Sequence, residues 1–583
     1  MNRHGSMNHI YRLIWSHVLN GWVAVAETAR GRGKGARRKL LAAVLSLSST
    51  LSLAAPEGGQ VVAGSGNISQ SGATTTIHQA SQNVSIDWRS FNVGASETVN
   101  FLQPSASAIA VNRIYDTNGS QILGNINANG QVYLINPNGI LFGQGAQVNV
   151  GGLVASTRDI NDASLNGNTR NFSGSGTGSI TNLGTINAAN GGYVALLANH
   201  VSNQGTITAP QGTVALGAGS STTLTFQDSS LVRMQVDQSV LNSVAENGGL
   251  IRANGGTVLM SAGAKDALLA SVVNNSGVIE AQTVDNRNGA IVLLGGMAAG
   301  TTNVGGTLDA SASNGGNGGF IETSAAHVQI GDDTRVNTSA SMGLTGTWLI
   351  DPQDYTVAAS GGDITGATLS ANLGTTNVIL QSTSGAVAGA GDVIVNDEVS
   401  WSSSNSLTLS AFRNVAVNAN IANSNGASVN LESDNTGSGT GTVTFGGGST
   451  VSTAGAVSIL YNPTDNPYTA TPGLNNTSYR TATDFSASIT GGATLTSYML
   501  VNNAYDMQNI ANNRLGNYAL GRDIDATGVT YQAVANFGSS DGSTTHVFDG
   551  RNRTISNLSI TASGQSVGLF NSISYATVKN LKL

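Results

Sequence analysis

The sequence predicts an all-β protein built as a parallel β-helix (β-solenoid) with an N-terminal cap, and three observations carry that reading. The first is composition. The 583 residues include 75 Gly and no Cys, and only 10% are charged. Short runs of Val, Ile and Thr are separated by Gly or Asn-Gly corners, the pattern of short strands joined by tight turns. A disordered chain shows the reverse, few β-branched residues and dense charge. The second observation is a repeat. Gly124-Asn-Ile-Asn-Ala leads to Asn129-Gly-Gln-Val-Tyr-Leu, and the unit returns from Gly184, Gly205, Gly249, Gly277 and Gly306. A unit that cannot bury its apolar side alone does so by stacking on its neighbours. The third is an exclusion. After residue 56 no helical periodicity is evident, the leucine-rich signature is missing, and no regular propeller blades occur.

From Gly184 the successive starts lie 21, 44, 28 and 29 residues apart. Such irregularity suits coils that carry insertions on one face. Inward Val, Ile and Leu would build a continuous core, and Asn stacked at corners would form amide ladders. At about 25 residues per coil, the chain after the leader gives roughly 20 coils. With strands about 4.8 Å apart, these make a rod on the order of 100 Å long.

The elements follow in order. Residues 1–55 are a leader. Arg37-Arg38-Lys39 precedes LLAAVLSLSSTLSLA, too short and Ser-rich for a spanning helix but suited to a secretory signal, with cleavage after Ala54 or Ala55. Residues 56–123, less repetitive and holding Trp88, Phe91 and Phe101, read as a cap, because a solenoid's open end would template pairing with other chains. Residues 345–470 continue as short strands. Residues 460–480 hold three of the eight prolines and read as a linker. From about residue 498 the texture shifts, with a possible helical stretch around Ala504–Asn513. Phe548-Asp-Gly-Arg-Asn-Arg-Thr-Ile-Ser-Asn-Leu and Val567-Gly-Leu-Phe then read as the start of a GLUG-type array, another β-solenoid texture. The pattern stops in mid-unit at Val578–Leu583, as in a fragment of something longer.

Charge is uneven. The leader has eight basic residues against Glu27, leaving 17 basic and 31 acidic residues, a net −14, for residues 56–583. A sparse acidic surface argues against nucleic acid as a partner. Without cysteine, stability must come from another source, such as continuous strand ladders.

The richest stretch is Gly124–Gly143. Its apolar runs Val132–Ile135 and Ile140–Phe142 flank Asn136-Pro137-Asn138-Gly139. Proline presets φ for a turn's second position, and Asn-Gly tolerates positive φ. Strand, sharp turn and strand follow.

At these residues a family resemblance appears. Residues 7–34, through Ile10-Tyr11-Arg12, Trp15, Trp22–Val25, Glu27 and Gly31–Lys34, resemble the extended signal-peptide region of large Gram-negative exoproteins, which points to Met7 as the true start. Residues 56–310 resemble the secretion domain of two-partner secretion exoproteins, the filamentous haemagglutinin and high-molecular-weight adhesin family. The resemblance runs through Asn83–Gly94, Val99–Ser105, Ala110–Ile114, Gly124–Ile126, Val132–Gly143 and Val148–Ala155. Asn136, Pro137, Asn138, Gly139 and Ile140 match the family's NPNGI motif. A second signature, NPNL, is absent, and Gln103-Pro104-Ser105 stands in its region, which is closer to the high-molecular-weight adhesin branch.

The resemblance implies a right-handed β-helix and export through a dedicated outer-membrane β-barrel transporter, with strand addition to an exposed edge as one means of reading the domain. It also implies a secreted, cell-surface adhesin of a Gram-negative bacterium that meets a receptor or glycan on a host or neighbouring cell. The implied organisation is an extended signal peptide (1–55), a secretion domain (56–310), continuing β-helix (311–470), and a linker with the start of the GLUG-like region (471–583). Asn136–Ile140 would be the transporter-recognition motif, against the plainer reading that they form only a corner. The alternative function is a toxin-delivery exoprotein, of contact-dependent inhibition or cytolysin type, whose active part is absent here.

Enzyme chemistry is not expected. The densest acids, Asp332-Asp333 and the pair Asp523 and Asp525, read as turn-capping carboxylates. The seven His are scattered without metal-ligand spacing. No catalytic, cofactor or metal site is assigned.

Overall fold

The computed structural model describes residues 11–16, 21–26, 55–263, 269–383, 389–463, 479, 481–542, 545–560 and 566–583. The chain divides into two compact units, Met1–Ser52 and Leu53–Leu583. In the first, Tyr11–Ser16 and Gly21–Ala26 pair antiparallel, with Trp15 opposite Trp22. Ala54 lies outside the described residues.

The second unit is a parallel β-helix whose coils lay strands on three faces. The first face runs from Thr74–Gln79 through Thr98–Leu102 and Asn125–Ala128 to Arg335–Asn337. The second runs from Asn83–Trp88 through Ile109–Ile114 and Gln131–Ile135 to Ala576–Lys579. The third runs from Ser120–Ile122 through Ile140–Phe142 to His327–Ile330. Register explains the repeat. On the first face Val99, Ile126, Val148, Ile186, Ile207, Ile251, Ile279, Leu308 and Val336 stack in one column, all buried. On the second face Val132, Leu153, Val194, Val214, Val258 and Ile291 do the same. Each such side chain contributes about 1.5–3 kcal/mol by leaving water. Three coils of this column escape the sequence pattern, those of Thr98-Val-Asn, Gln147-Val-Asn and Arg335-Val-Asn, because each has Val where the copies have Ile or Leu and none opens with Gly.

The glycine that opens each copy is there for steric reasons. A Cβ on Gly205 would lie 2.2 Å from the Gly184 oxygen, one on Gly249 2.1 Å from the Gly205 oxygen, and one on Gly277 2.2 Å from the Gly249 oxygen. The anticipated amide ladder also forms. Asn182 donates to Asn203 (2.8 Å), Asn203 to Asn247 (2.7 Å) and Asn247 to Asn275 (2.9 Å), all buried.

The cap is narrower than residues 56–123. Its antiparallel pairing consists of Gln60–Ala63 against Asn83–Trp88, extended by a bridge from Glu57 to Ser90, and the hairpin Gly66–Ser71 with Thr74–Gln79. Thr74–Gln79 and Asn83–Trp88 already stack in parallel on the next coil. Trp88, Phe91 and Phe101 sit in the rod's core, with Trp88 and Phe91 edge to face at 5.2 Å.

A helix interrupts the strands where none was expected, α1 (Gly366–Leu373), N-capped by Thr365. It packs at the end of the first face, where Asn372 accepts a hydrogen bond from the Val336 amide (2.7 Å) and donates to the Thr334 oxygen (3.2 Å). Two turns are too few for a periodicity to show. The helical stretch around Ala504–Asn513 forms as α2 (Ala504–Asn509) followed by a 3-10 turn (Ile510–Asn512). The proline-rich 464–478 lies outside the described residues. The parallel stack continues through Thr494–Val501, Tyr518–Leu520 and His546–Asp549, with Tyr518, Phe537 and Phe570 in contact in its core. Among the described residues no helix is long and apolar enough to cross a membrane.

Two insertions add a second layer. Asp159–Ile160 and Thr169–Ser173 come from one coil, and Ser221–Gln227 and Ser230–Gln238 from a later one. They join into a four-stranded antiparallel sheet. The second insertion accounts for the spacing of 44 between Gly205 and Gly249. This sheet covers the outer side of the second face, making a second core from Ile109, Val111, Tyr133, Ile135, Val154, Tyr193 and Leu197 with Phe172, Leu224, Phe226 and Met234. Burial on both sides is why Gln131-Val-Tyr-Leu-Ile reads as a continuous apolar run and not an alternating one.

Candidate functional site: the Asn-Pro-Asn-Gly-Ile corner

The motif turns the chain from the second face to the third. The Gly139 amide donates to the Asn136 oxygen at 3.0 Å, closing a four-residue turn with Pro137 second. Asn136 is fully buried and bonded on every side. Its amide donates to the Ser156 oxygen of the next coil (2.9 Å). Its Nδ2 donates to the Asn118 oxygen (3.1 Å) and Ser120 Oγ (3.0 Å) of the previous coil, and its Oδ1 accepts from the Asn138 amide (2.9 Å). Asn138 Nδ2 donates to the Asp116 oxygen at 2.7 Å. The Pro137 oxygen accepts from the Gly178 amide at 3.1 Å. Gly139 has φ +106°, and a Cβ there would lie 2.7 Å from the Ser179 oxygen. Ile140 stacks between Ser120 and Ile180.

The five residues therefore divide. Asn136, Gly139 and Ile140 are buried between coils and do structural work. Pro137 and Asn138 are exposed. Ala55, the other described residue named from the sequence, lies in the second unit and is buried.

Three buried polar side chains, of which the sequence singled out only Gln103, support this corner and its neighbours. Gln103, in the place of the missing signature, is buried. Its Nε2 donates to Gln79 Oε1 (3.0 Å) and the Ala108 and Gln131 oxygens (3.0 and 3.1 Å), while its Oε1 accepts from the Gly130 amide (2.9 Å). Arg158 is fully buried and donates to the oxygens of Gly219 and Gly176 and to Asn199 Oδ1. Burial pushes its pKa below the usual guanidinium value. Arg170 lies 4.0 Å over the Phe226 ring and donates to the Tyr133 hydroxyl, which shares a 2.9 Å hydrogen bond with Tyr193. Burial raises both tyrosines, Tyr193 strongly. The available signal was alternation, since Arg170 sits two positions before Phe172 on the inward side of a strand.

At the rim Arg113 holds Asp159 (2.8 Å) and Asp162 (2.6 Å). Burial alone would raise Asp162, but bonds from Arg113 and Ser85 outweigh it and hold the carboxyl below its usual range. Of the acids weighed for catalysis, Asp525 caps its own turn, whereas Asp332 and Asp523 accept hydrogen bonds from residues 31 to 36 positions away. Asp332 accepts from Thr365 and Thr368 (both 3.1 Å), Asp523 from the Thr554 amide (2.7 Å), and Asp525 from Thr527 and Asn557 (2.6 and 2.9 Å). Among the described residues no group of three or more acids and histidines could hold a metal.

Comparison with known proteins bears on the same segment. Residues 53–310 match the family described as TPS secretion domain, and residues 7–56 the extended signal peptide of the type V secretion system. A heme/hemopexin-binding protein of Haemophilus influenzae is 37% identical over 248 residues, 41% of this chain and 27% of the relative. A second protein of that description and species is 33% identical over 243 residues, 37% of this chain and 26% of its own length. The chain thus spans about a quarter of the curated relatives it matches. The crystal structure of the HMW1 secretion domain from Haemophilus influenzae aligns at a TM-score of 0.46 with 23% identity, covering 65% of this chain and 98% of that one. Residues 7–310 thus match, in order, an extended signal peptide and a TPS secretion domain, the arrangement of two-partner secretion exoproteins.

Proposed function

We propose that residues 53–310 deliver this chain to a dedicated outer-membrane β-barrel transporter, and that the exported β-helix acts as a surface adhesin toward a receptor or glycan on another cell. The family match over 53–310 carries the first part. Export from a Gram-negative cell follows from the leader and the secretion domain together. The corner supports a recognition role for Pro137 and Asn138, which stand exposed on a turn whose other three residues fix its shape. The adhesin reading rests on a long, sparsely charged, ladder-bonded surface that shows no metal-holding cluster of acids and histidines among the described residues. Asn100, Asn127, Asn149 and Asn187, for example, are joined by side-chain hydrogen bonds along the first face. We read the chain as having no enzyme activity.

The curated relatives are named for heme and hemopexin binding, but the match covers only about a quarter of their length. It supports a common export route more than a common ligand. The test is Pro137→Ala with Asn138→Ala, co-expressed with the cognate transporter. These substitutions leave Asn136, Gly139 and Ile140 in place. Extracellular yield should fall severalfold while the purified protein keeps its melting temperature. Unchanged yield would remove the recognition role and leave the motif a corner.

A further inference from the structure

The four-stranded outer sheet is assembled from segments far apart in sequence. Asn171 and Ser221, whose side chains bond at 3.1 Å, are 50 residues apart, with two complete coils between them. Neither insertion can finish alone. Thr169–Ser173 finds its neighbour only in Ser221–Gln227, since Asp159–Ile160 gives it just two paired residues on the other side. The join is charged and buried. Arg158, from the first insertion, donates to the Gly219 oxygen at the root of the second (3.2 and 3.1 Å). Arg170, from the first, lies over Phe226 of the second, and its Nε has no hydrogen-bond partner. Among the described residues no carboxylate pairs with either guanidinium. On the outside, Asn171, Thr223 and Asp237 bond across three strands. Beneath lies the second core, which touches the outer sides of the strands Ile109–Ile114, Gln131–Ile135 and Thr213–Ala218.

A buried cation is tolerated only while its partners are in place. Removing one insertion strands Arg158 and Arg170 and strips the cover from Tyr133, Ile135 and Tyr193 together. The coils below do not share this dependence, because their inward columns are complete without the sheet. We propose that the two insertions form a clasp, one cooperative unit that closes only when residues 219–238 join residues 158–173 and that opens and closes as a whole without unfolding the coils. The clasp gives the secretion domain two states. In the open one, the apolar outer side of the strand leading into Asn136 is bare, and in the closed one it is covered.

Hydrogen exchange read by mass spectrometry on the full chain tests this. In the unaltered protein, peptides covering 159–173 and 221–238 should show the same opening, and strands 206–208 and 250–252 should be protected at least tenfold more. Phe226→Ala should speed exchange at least tenfold in 159–173, the other insertion, and Phe172→Ala should do the same in 221–238. Arg233→Ala, on the exposed side of the outermost strand, should change neither. Unequal opening of the two segments in the unaltered protein would overturn the proposal even if the variants failed to fold. So would loss of protection confined to the mutated insertion, or spread equally through the coils.

Discussion

Replacing Asn136 by alanine separates the corner's structural work from any recognition. The substitution removes three side-chain hydrogen bonds, to the Asn118 oxygen, Ser120 Oγ and the Asn138 amide, at 2.9 to 3.1 Å. Ser120 is itself buried, so its hydroxyl is orphaned. A typical bond is worth about 0.5–1.5 kcal/mol net, and an unsatisfied buried group costs about 1–3 kcal/mol. The expected local loss is about 2–4 kcal/mol. In a stacked array each coil contacts only its neighbours, so the loss should stay near residues 116–120 and 136–140. At about 1.36 kcal/mol per tenfold, amide exchange there should quicken roughly 30- to 900-fold, with the second-face strand 257–262 unchanged. The double variant Asn136→Ala, Ser120→Ala should recover part of the cost, because both ends of one bond then go together. Exchange at 116–120 that does not change would refute the reasoning, since Asn136 would then not be holding the previous coil.

Three further outcomes follow from the same geometry. Asn247→Leu, in the middle of the buried amide ladder, orphans the Asn203 donor and the Asn275 acceptor and should cost about 2–4 kcal/mol, read as loss of protection in 200–203 and 271–275. Gly212→Ala places a Cβ 1.9 Å from the Gly192 oxygen. It should prevent close stacking of those coils and lower the melting temperature or the soluble yield, whereas Gly72→Ala, with nothing within 4 Å but φ +57°, should cost only local strain. The carboxyl of Asp162 is held low in the folded protein, so its contribution is complete above the unfolded carboxylate pKa and disappears as pH falls through the folded one. Acidification should therefore loosen 159–166 from the rod, and Arg113→Ala should weaken that dependence, leaving only the part due to Ser85.

The inward columns were legible because one residue per coil repeats at a fixed place between Gly and Ala. The amide ladder was legible because Asn recurs at a corner. The outer sheet was not, although its insertions were signalled by the long interval after Gly205. Thr169–Ser173 and Ser221–Gln227 pair with each other across two coils, and nothing local marks a partner at that distance. α1 escaped because two turns with Gly366 at the start carry no periodic stripe. The cap was drawn too wide because Trp88 and Phe101 break the texture of the repeat while occupying its core. At the motif, the turn was readable from Pro137 and Gly139. The division into buried and exposed residues was not, since it depends on which coils lie above and below.

The central claim is that the N-terminal region sends this chain out of the cell through a dedicated transporter. Expressing residues 1–583 with and without the cognate outer-membrane transporter, and measuring the extracellular and periplasmic fractions, tests it most directly. The account predicts extracellular protein only when the transporter is present, and retention or degradation in the periplasm without it. Equal extracellular amounts in both strains would contradict it.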